Sequence, residues 1–187
     1  MRCLRILAAA LLCAGNVAAQ SVVERSPNMH GVWTLPGGQA AFVFAHRFEL
    51  IDGADELRNI PTLTLAAGLP LGLTAGLDYT SNSEIALTST GANEVEYWLK
   101  RAVRPTSDLS FAGLVGYNSV AKSLDGAVDA RVGLGALSLL GEVRAFSDAL
   151  GAGEAAVAAA GGAALRLTPY LSVNGDVGRV LNTDTLG

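Results

Sequence analysis

The chain has 187 residues, half of them hydrophobic, and a formal net charge of −4. A mildly acidic chain has no electrostatic reason to bind nucleic acid, so that class of partner is excluded. Its two cysteines, Cys3 and Cys13, both lie within the first 19 residues, so the rest of the chain has neither a disulfide framework nor a thiolate site.

The first 19 residues are typical of a secretory signal peptide. Residues 1–5 carry two arginines, residues 6–14 are continuously apolar, and residues 17–19 are small. Such a segment is too short to span a membrane as a helix, so we expect export and cleavage near Ala19. Removal of residues 1–19 would leave 168 residues and a charge of −6. A buried helix and a lipoprotein signal are the alternatives, but Cys13 lacks the small residues that lipidation needs before it.

Beyond the signal we divide the chain into an irregular N-terminal segment, residues 20–38, and a β-barrel, residues 39–187. Trp33 and Leu35 in the irregular segment are expected to pack on the barrel rim. Alternation of apolar and polar residues predicts nine strands, since side chains on a strand point to opposite faces in turn. The predicted strands are 39–50, 61–69, 73–80, 94–103, 109–118, 127–134, 137–146, 155–167 and 170–180.

Two points in this strand assignment stay open. Alanines favour a helix over 155–167, whereas the central Gly161 and Gly162 favour a strand. Bacterial barrels usually have an even number of strands, and nine is odd. Either a weak strand lies at 29–35, or the sequence stops before the closing strands.

The connections between the predicted strands alternate in length. Short turns are predicted at 70–72, 135–136 and 168–169, and longer polar loops at 81–93, 119–126 and 147–153. This asymmetry is typical of outer-membrane barrels, whose turns are short on one side of the membrane. A further loop, 51–59, contains Asp52, Asp55 and Glu56. These acids lack the ligand spacing of a calcium loop, so we predict a solvated turn.

The hairpin over 127–146 shows the pattern that recurs along the chain. Each of its strands has an apolar face and a face that carries one acid and one base. We therefore predict an all-β, antiparallel, up-and-down transmembrane β-barrel of about 8–10 strands, with lipid outside and ionic residues inside. The predicted lumen-facing ionic residues are Asp78, Glu96, Lys100, Asp129, Arg131, Glu142, Arg144, Arg166 and Asp176. They could line a conducting lumen or close a solid interior, and a soluble secreted sheet would show the same alternation.

Several short motifs resemble the opening of a family of bacterial outer-membrane β-barrels known only as a domain of unknown function. The motifs are Ser26-Pro27, Leu35-Pro36-Gly37-Gly38, His46-Arg47-Phe48, Leu69-Pro70-Leu71-Gly72-Leu73 and Leu99-Lys100. The family has glycine after the His-Arg-Phe triplet, and this chain has Glu49. The resemblance covers residues 26–103. It implies an outer-membrane location and brings no assigned activity.

The exported part contains two histidines, His30 and His46, and neither belongs to a metal-ligand or nucleophile motif. We expect no catalytic residue, no metal and no cofactor. The expected function is a structural, interaction or narrow transport role in the outer membrane. The expected partners are outer-membrane lipid and the barrel assembly machinery, and the oligomeric state stays open. The alternatives are a lipid-modifying barrel enzyme that uses His46, and a secreted soluble β-sheet binding protein.

Overall fold

The computed structural model describes residues 24, 26, 29–50, 57–81, 93–149 and 154–181, without the side chains of 46–50, 57–60 and 149. Nine strands follow in chain order: β1 (Ala40–Leu50), β2 (Leu57–Gly68), β3 (Leu73–Thr80), β4 (Glu94–Val103), β5 (Leu109–Asn118), β6 (Ser123–Leu134), β7 (Leu137–Ala149), β8 (Glu154–Thr168) and β9 (Leu171–Val180). One short 3-10 turn, Pro70–Gly72, joins β2 to β3. Within these ranges no helix has the length and apolar character that a membrane crossing requires.

Every strand pairs in antiparallel fashion with the next one along the chain, so the nine strands form a single sheet in the order β1 to β9. The sheet curls into a half barrel, and within the described residues β1 and β9 are its two edges. The predicted all-β, up-and-down arrangement is thus confirmed. Residues 155–167, which were ambiguous, belong to a strand that pairs with β7 along most of its length.

Three strands extend at least three residues beyond a predicted end, because strand pairing continues through polar residues and, in β7, past a register shift between Phe146 and Ala149. β2 begins at Leu57, opposite Leu50 of β1, so the predicted loop 51–59 is shorter. β6 begins at Ser123, opposite Asn118, which reduces the predicted loop 119–126 to a four-residue turn. β7 continues to Ala149.

Some predictions fall on residues that the structure does not describe. These include the signal peptide, most of the loop 81–93, and the acids Asp52, Asp55 and Glu56. His46, Arg47 and Phe48 have a described backbone, which lies in β1, but their side chains lie outside the described part.

The two faces of the sheet differ sharply in chemistry. On the convex face, Val128 of β6 and Val143 of β7 lie directly opposite each other and are 63% and 53% exposed. Their neighbour Asp129 points to the concave face and is 1% exposed. The same alternation of exposed and buried residues runs along β4 and β5, where the buried positions carry both ionic residues, such as Lys100, and apolar ones, such as Trp98. The sheet therefore exposes an apolar outer surface, and its buried ionic residues are on the inner one.

Residues 29–38 lie against the concave face, and we call them the inner segment. They form no strand, so the alternative of a tenth strand at 29–35 is wrong. Trp33 and Leu35 are no more than 5% exposed, and they belong to a buried cluster with Trp98 and Leu114. Both residues therefore pack inside the half barrel, and Leu35 does so close to the strand ends, where its N–H donates to Thr74, the second residue of β3.

Candidate functional site

Two pairs of acids face each other across neighbouring strands of the concave face. The β3–β4 register places Asp78 opposite Glu96, and the β6–β7 register places Asp129 opposite Glu142. Like charges that lie directly opposite each other destabilise a sheet, and burial makes isolated charges still more costly. Both pairs therefore need compensating groups.

The inner segment brings His30 and Gly31 between these acid pairs. The backbone N–H of His30 donates to Glu142 Oε2 at 2.7 Å, and that of Gly31 donates to Asp129 Oδ1 at 2.9 Å. The imidazole of His30 lies between strands, with Nε2 3.5 Å from Asp78 Oδ2 and Nδ1 3.7 Å from Glu142 Oε2. Gly31 has a φ of 64°, a left-handed conformation that glycine adopts without a steric penalty.

Lys100 of β4 also contacts His30 and Gly31 of the inner segment. Its side chain is among the most deeply buried, at 1% exposure. Nζ donates to the carbonyl oxygens of His30 at 3.1 Å and Gly31 at 3.4 Å. It also lies 4.2 Å from the ring centroid of Trp33 and 5.4 Å from that of Trp98, within the range of cation–π attraction. A buried cation thus binds the inner segment through both its backbone and its aromatic residue.

Arg144 of β7 is a second cation of the concave face, and its side chain is partly buried, at 16% exposure. Its Nη2 donates to Glu96 Oε1 at 2.6 Å and to Asp125 Oδ2 at 3.1 Å. Its Nη1 lies 3.4 Å from His30 Nδ1. Because Glu96 is on β4 and Asp125 is on β6, this guanidinium links strands that are not neighbours in the sheet.

Farther along the inner segment, apolar contacts replace the ionic ones. The rings of Trp33 and Trp98 meet edge to face, with centroids 5.7 Å apart. The backbone N–H of Leu35 donates to Thr74 Oγ1 at 2.8 Å. Next to them, the N–H of Gly38 donates to the carbonyl oxygen of Gly68 at 3.0 Å, where the inner segment leads into β1.

Acids outnumber permanent cations at the site around His30. Five carboxylates contact or face this site, and Lys100 and Arg144 are the permanent cations among the groups described. Burial disfavours the imidazolium of His30, while Asp78 and Glu142 favour it, and the net result raises the pKa of His30 above its ordinary value. When it is protonated, His30 offsets part of the negative charge.

The predicted lumen-facing residues fall into two groups. Six meet around the inner segment, and these are Asp78, Glu96, Lys100, Asp129, Glu142 and Arg144. The other three lie elsewhere on the sheet. Arg131 donates to Ser138 Oγ, Asp176 accepts a hydrogen bond from Ser26 Oγ, and Arg166 is exposed near the β8–β9 turn.

Sequence reasoning did not find the role of the inner segment. His30, Gly31 and Asp125 were not among the predicted site residues, although all three contact the ionic groups named above. His30 is 48 residues from Asp78 and 112 from Glu142 in the chain, so no local spacing could indicate the contact. The available signal was indirect, since the predicted lumen-facing residues include five acids and four bases, so one acid has no basic partner among them.

Gly68 offers a test of how closely the inner segment is packed. A Cβ at this position would lie 1.9 Å from the carbonyl oxygen of Pro36 and 2.7 Å from that of Leu35. Because both atoms are backbone, Gly68→Ala should push the inner segment away and cost about 1–3 kcal/mol in the free energy of unfolding, as overpacking does. Gly113→Ala is the matched control, since a Cβ there meets open space. Equal denaturation midpoints for the two variants would contradict the close packing.

No protein-family model matches the chain, and comparisons with curated proteins and with solved structures returned no significant match. The resemblance drawn from the motifs in residues 26–103 therefore stays a prediction.

Proposed function

We propose that the chain is an outer-membrane β-barrel protein with a structural or interaction role, and that its own inner segment fills the interior. The observation that carries this proposal is the separation of the two faces. Exposed apolar side chains cover the convex face along the strands, and the buried ionic residues are on the concave face. In water an arrangement of this kind would expose a large apolar patch, whereas in a bilayer it would place that patch against lipid.

Aromatic residues on the convex face support the same proposal. Phe42 and Phe44 of β1 are both more than half exposed, and Tyr97 and Tyr117 lie directly opposite each other on β4 and β5. Tyrosine is favoured where an apolar region meets water, since its ring is apolar and its hydroxyl is polar. The pair Tyr97–Tyr117 is thus suited to one boundary of the hydrocarbon layer.

A filled interior favours a structural role over an open channel. The ionic residues that could line a conducting lumen instead contact His30 and Gly31 of the inner segment. Ions would have to displace this segment in order to pass along the concave face. A narrow transport role would accordingly require the segment to leave.

The proposal is tested by fractionation and by conductance. After expression with its signal peptide, the protein should remain in the membrane pellet after an alkaline carbonate wash. Release into the soluble fraction would contradict a membrane barrel and favour the soluble binding protein. In planar bilayers the refolded protein should give no steady open-pore conductance. A stable pore current would contradict the filled interior and favour transport.

A further inference from the structure

Three potential metal ligands converge where the inner segment meets β3 and β4. A ring nitrogen of His30 and carboxylate oxygens of Asp78 and Glu96 all lie within 4.8 Å of one another. They come from three separate elements, so only the docked inner segment completes the set. One imidazole nitrogen and two carboxylate oxygens are a donor set that zinc and neighbouring divalent metals accept.

We propose that His30, Asp78 and Glu96 bind one divalent transition-metal ion of the zinc class, which fastens the inner segment to the wall. Three protein ligands would leave a coordination position for water. The inference goes beyond the structural role proposed above. It requires the docked inner segment and does not depend on whether the convex face contacts lipid.

Asp78 is oriented as a ligand by a neighbouring hydroxyl. Thr64 Oγ1 donates to Asp78 Oδ1, while Asp78 Oδ2 faces Nε2 of His30 at 3.5 Å. Outer hydrogen bonds of this kind fix the orientation of carboxylate ligands in metal sites. One oxygen of Asp78 is thus held by β2, and the other is directed at the site.

The charge of the surroundings also favours a bound cation. Asp78 and Glu96 lie directly opposite each other, and a divalent ion between them would replace their repulsion with two attractive contacts. The site is accessible to solvent, because the side chains of His30 and Asp78 are 12% and 14% exposed. A hydrated ion could therefore reach these two ligands first.

Arg144 competes for one of the ligands, since its Nη2 contacts Glu96 Oε1. The same Nη2 also contacts Asp125 Oδ2, so Arg144 keeps an acidic partner if Glu96 turns towards a metal. We accordingly expect Glu96 to be the weakest of the three ligands, and His30 and Asp78 to contribute more to affinity.

The test uses the full chain folded in detergent micelles, freed of metal with a chelator and held at pH 8, where fewer protons compete with the metal for its ligands than at neutral pH. Titration with zinc chloride should show one ion bound per chain, and cobalt(II) should produce a visible absorption band. His30→Gln and Asp78→Asn should each weaken zinc binding at least about tenfold. Glu24→Gln is the control, because Glu24 pairs with Arg104 away from the ligands and should bind zinc as the unaltered chain does.

Two further measurements keep the test decisive if a ligand variant fails to fold. Thr64→Val keeps all three ligands and should weaken binding by roughly tenfold, as the loss of an outer hydrogen bond does. In the unaltered chain, zinc should shift the ring resonances of His30 and leave those of His46 in place. Absence of zinc binding, equal affinity in the His30→Gln and Glu24→Gln variants, or unshifted His30 resonances would each overturn the proposal.

Discussion

Lys100→Met should destabilise the folded protein by about 3–5 kcal/mol, because removal of one partner from a buried ionic network leaves the others uncompensated. Lys100 is 1% exposed, and its ammonium donates to the carbonyl oxygens of His30 and Gly31. Methionine keeps most of the side-chain volume but has no charge and no donor. The nearby acids would then face Arg144 as their remaining permanent cation. The loss can be measured as the change in free energy of unfolding by urea in detergent micelles.

Arg104→Met is the matched control for this prediction. Arg104 also pairs with an acid near the inner segment, Glu24, but its side chain is 48% exposed. Exposed ion pairs contribute about 0–1 kcal/mol, so this variant should remain close to the unaltered protein. If Lys100→Met lost no more stability than Arg104→Met, the buried cation would not be what holds the inner segment. Hydrogen exchange at the amides of His30 and Gly31 gives an independent measure, and both should exchange faster in Lys100→Met.

Val128→Arg should make the free energy of folding into lipid bilayers less favourable by about 2–4 kcal/mol, the range for arginine at the midplane of a transmembrane barrel. Val128 lies in the middle of β6 and is 63% exposed on the convex face. It lies directly opposite Val143, which is also exposed on that face. In a bilayer this position would contact lipid, where a guanidinium loses its water. The measurement is the free energy of folding into vesicles, followed by denaturant titration.

Ala136→Arg provides the control for the substitution on the convex face. Ala136 is exposed in the turn between β6 and β7. A charged side chain there can reach water whether the protein is a membrane barrel or a soluble sheet. This variant should fold into vesicles as the unaltered chain does. A soluble sheet would tolerate arginine equally at both positions, so equal folding energies for Val128→Arg and Ala136→Arg would count against the membrane proposal.

The sequence predicted the strands well because the turn-forming residues and the alternation of apolar and polar residues indicated the same strand bounds along most of the chain. The bounds of β3, β4 and β5 match the prediction to the residue. β2 and β6 began earlier than predicted, because backbone ladders continue through polar residues such as Asn59 and Asp125 when a partner strand is present. Local composition places turns but does not report how far a partner strand extends.

The strand residues of the site could be predicted from the sequence, but the inner segment could not, because it is far from them in the chain. Alternation placed Asp78, Glu96 and Asp129 on the ionic face of their strands, and the structure places each of them on the concave face. It could not show that an irregular stretch before β1 folds back over that face. His30 and Trp33 carry no periodic signal, and contacts over dozens of residues are fixed by tertiary packing rather than by spacing.

Our central proposal is that these strands belong to the wall of a barrel in the outer membrane, and heat-modifiability tests it most directly. An outer-membrane fraction is run on a detergent gel with and without boiling. A band whose mobility changes on boiling is the result we predict, because a barrel wall of hydrogen-bonded strands resists the detergent until it is heated. A protein found in the soluble periplasm, with the same mobility before and after boiling, would contradict the claim.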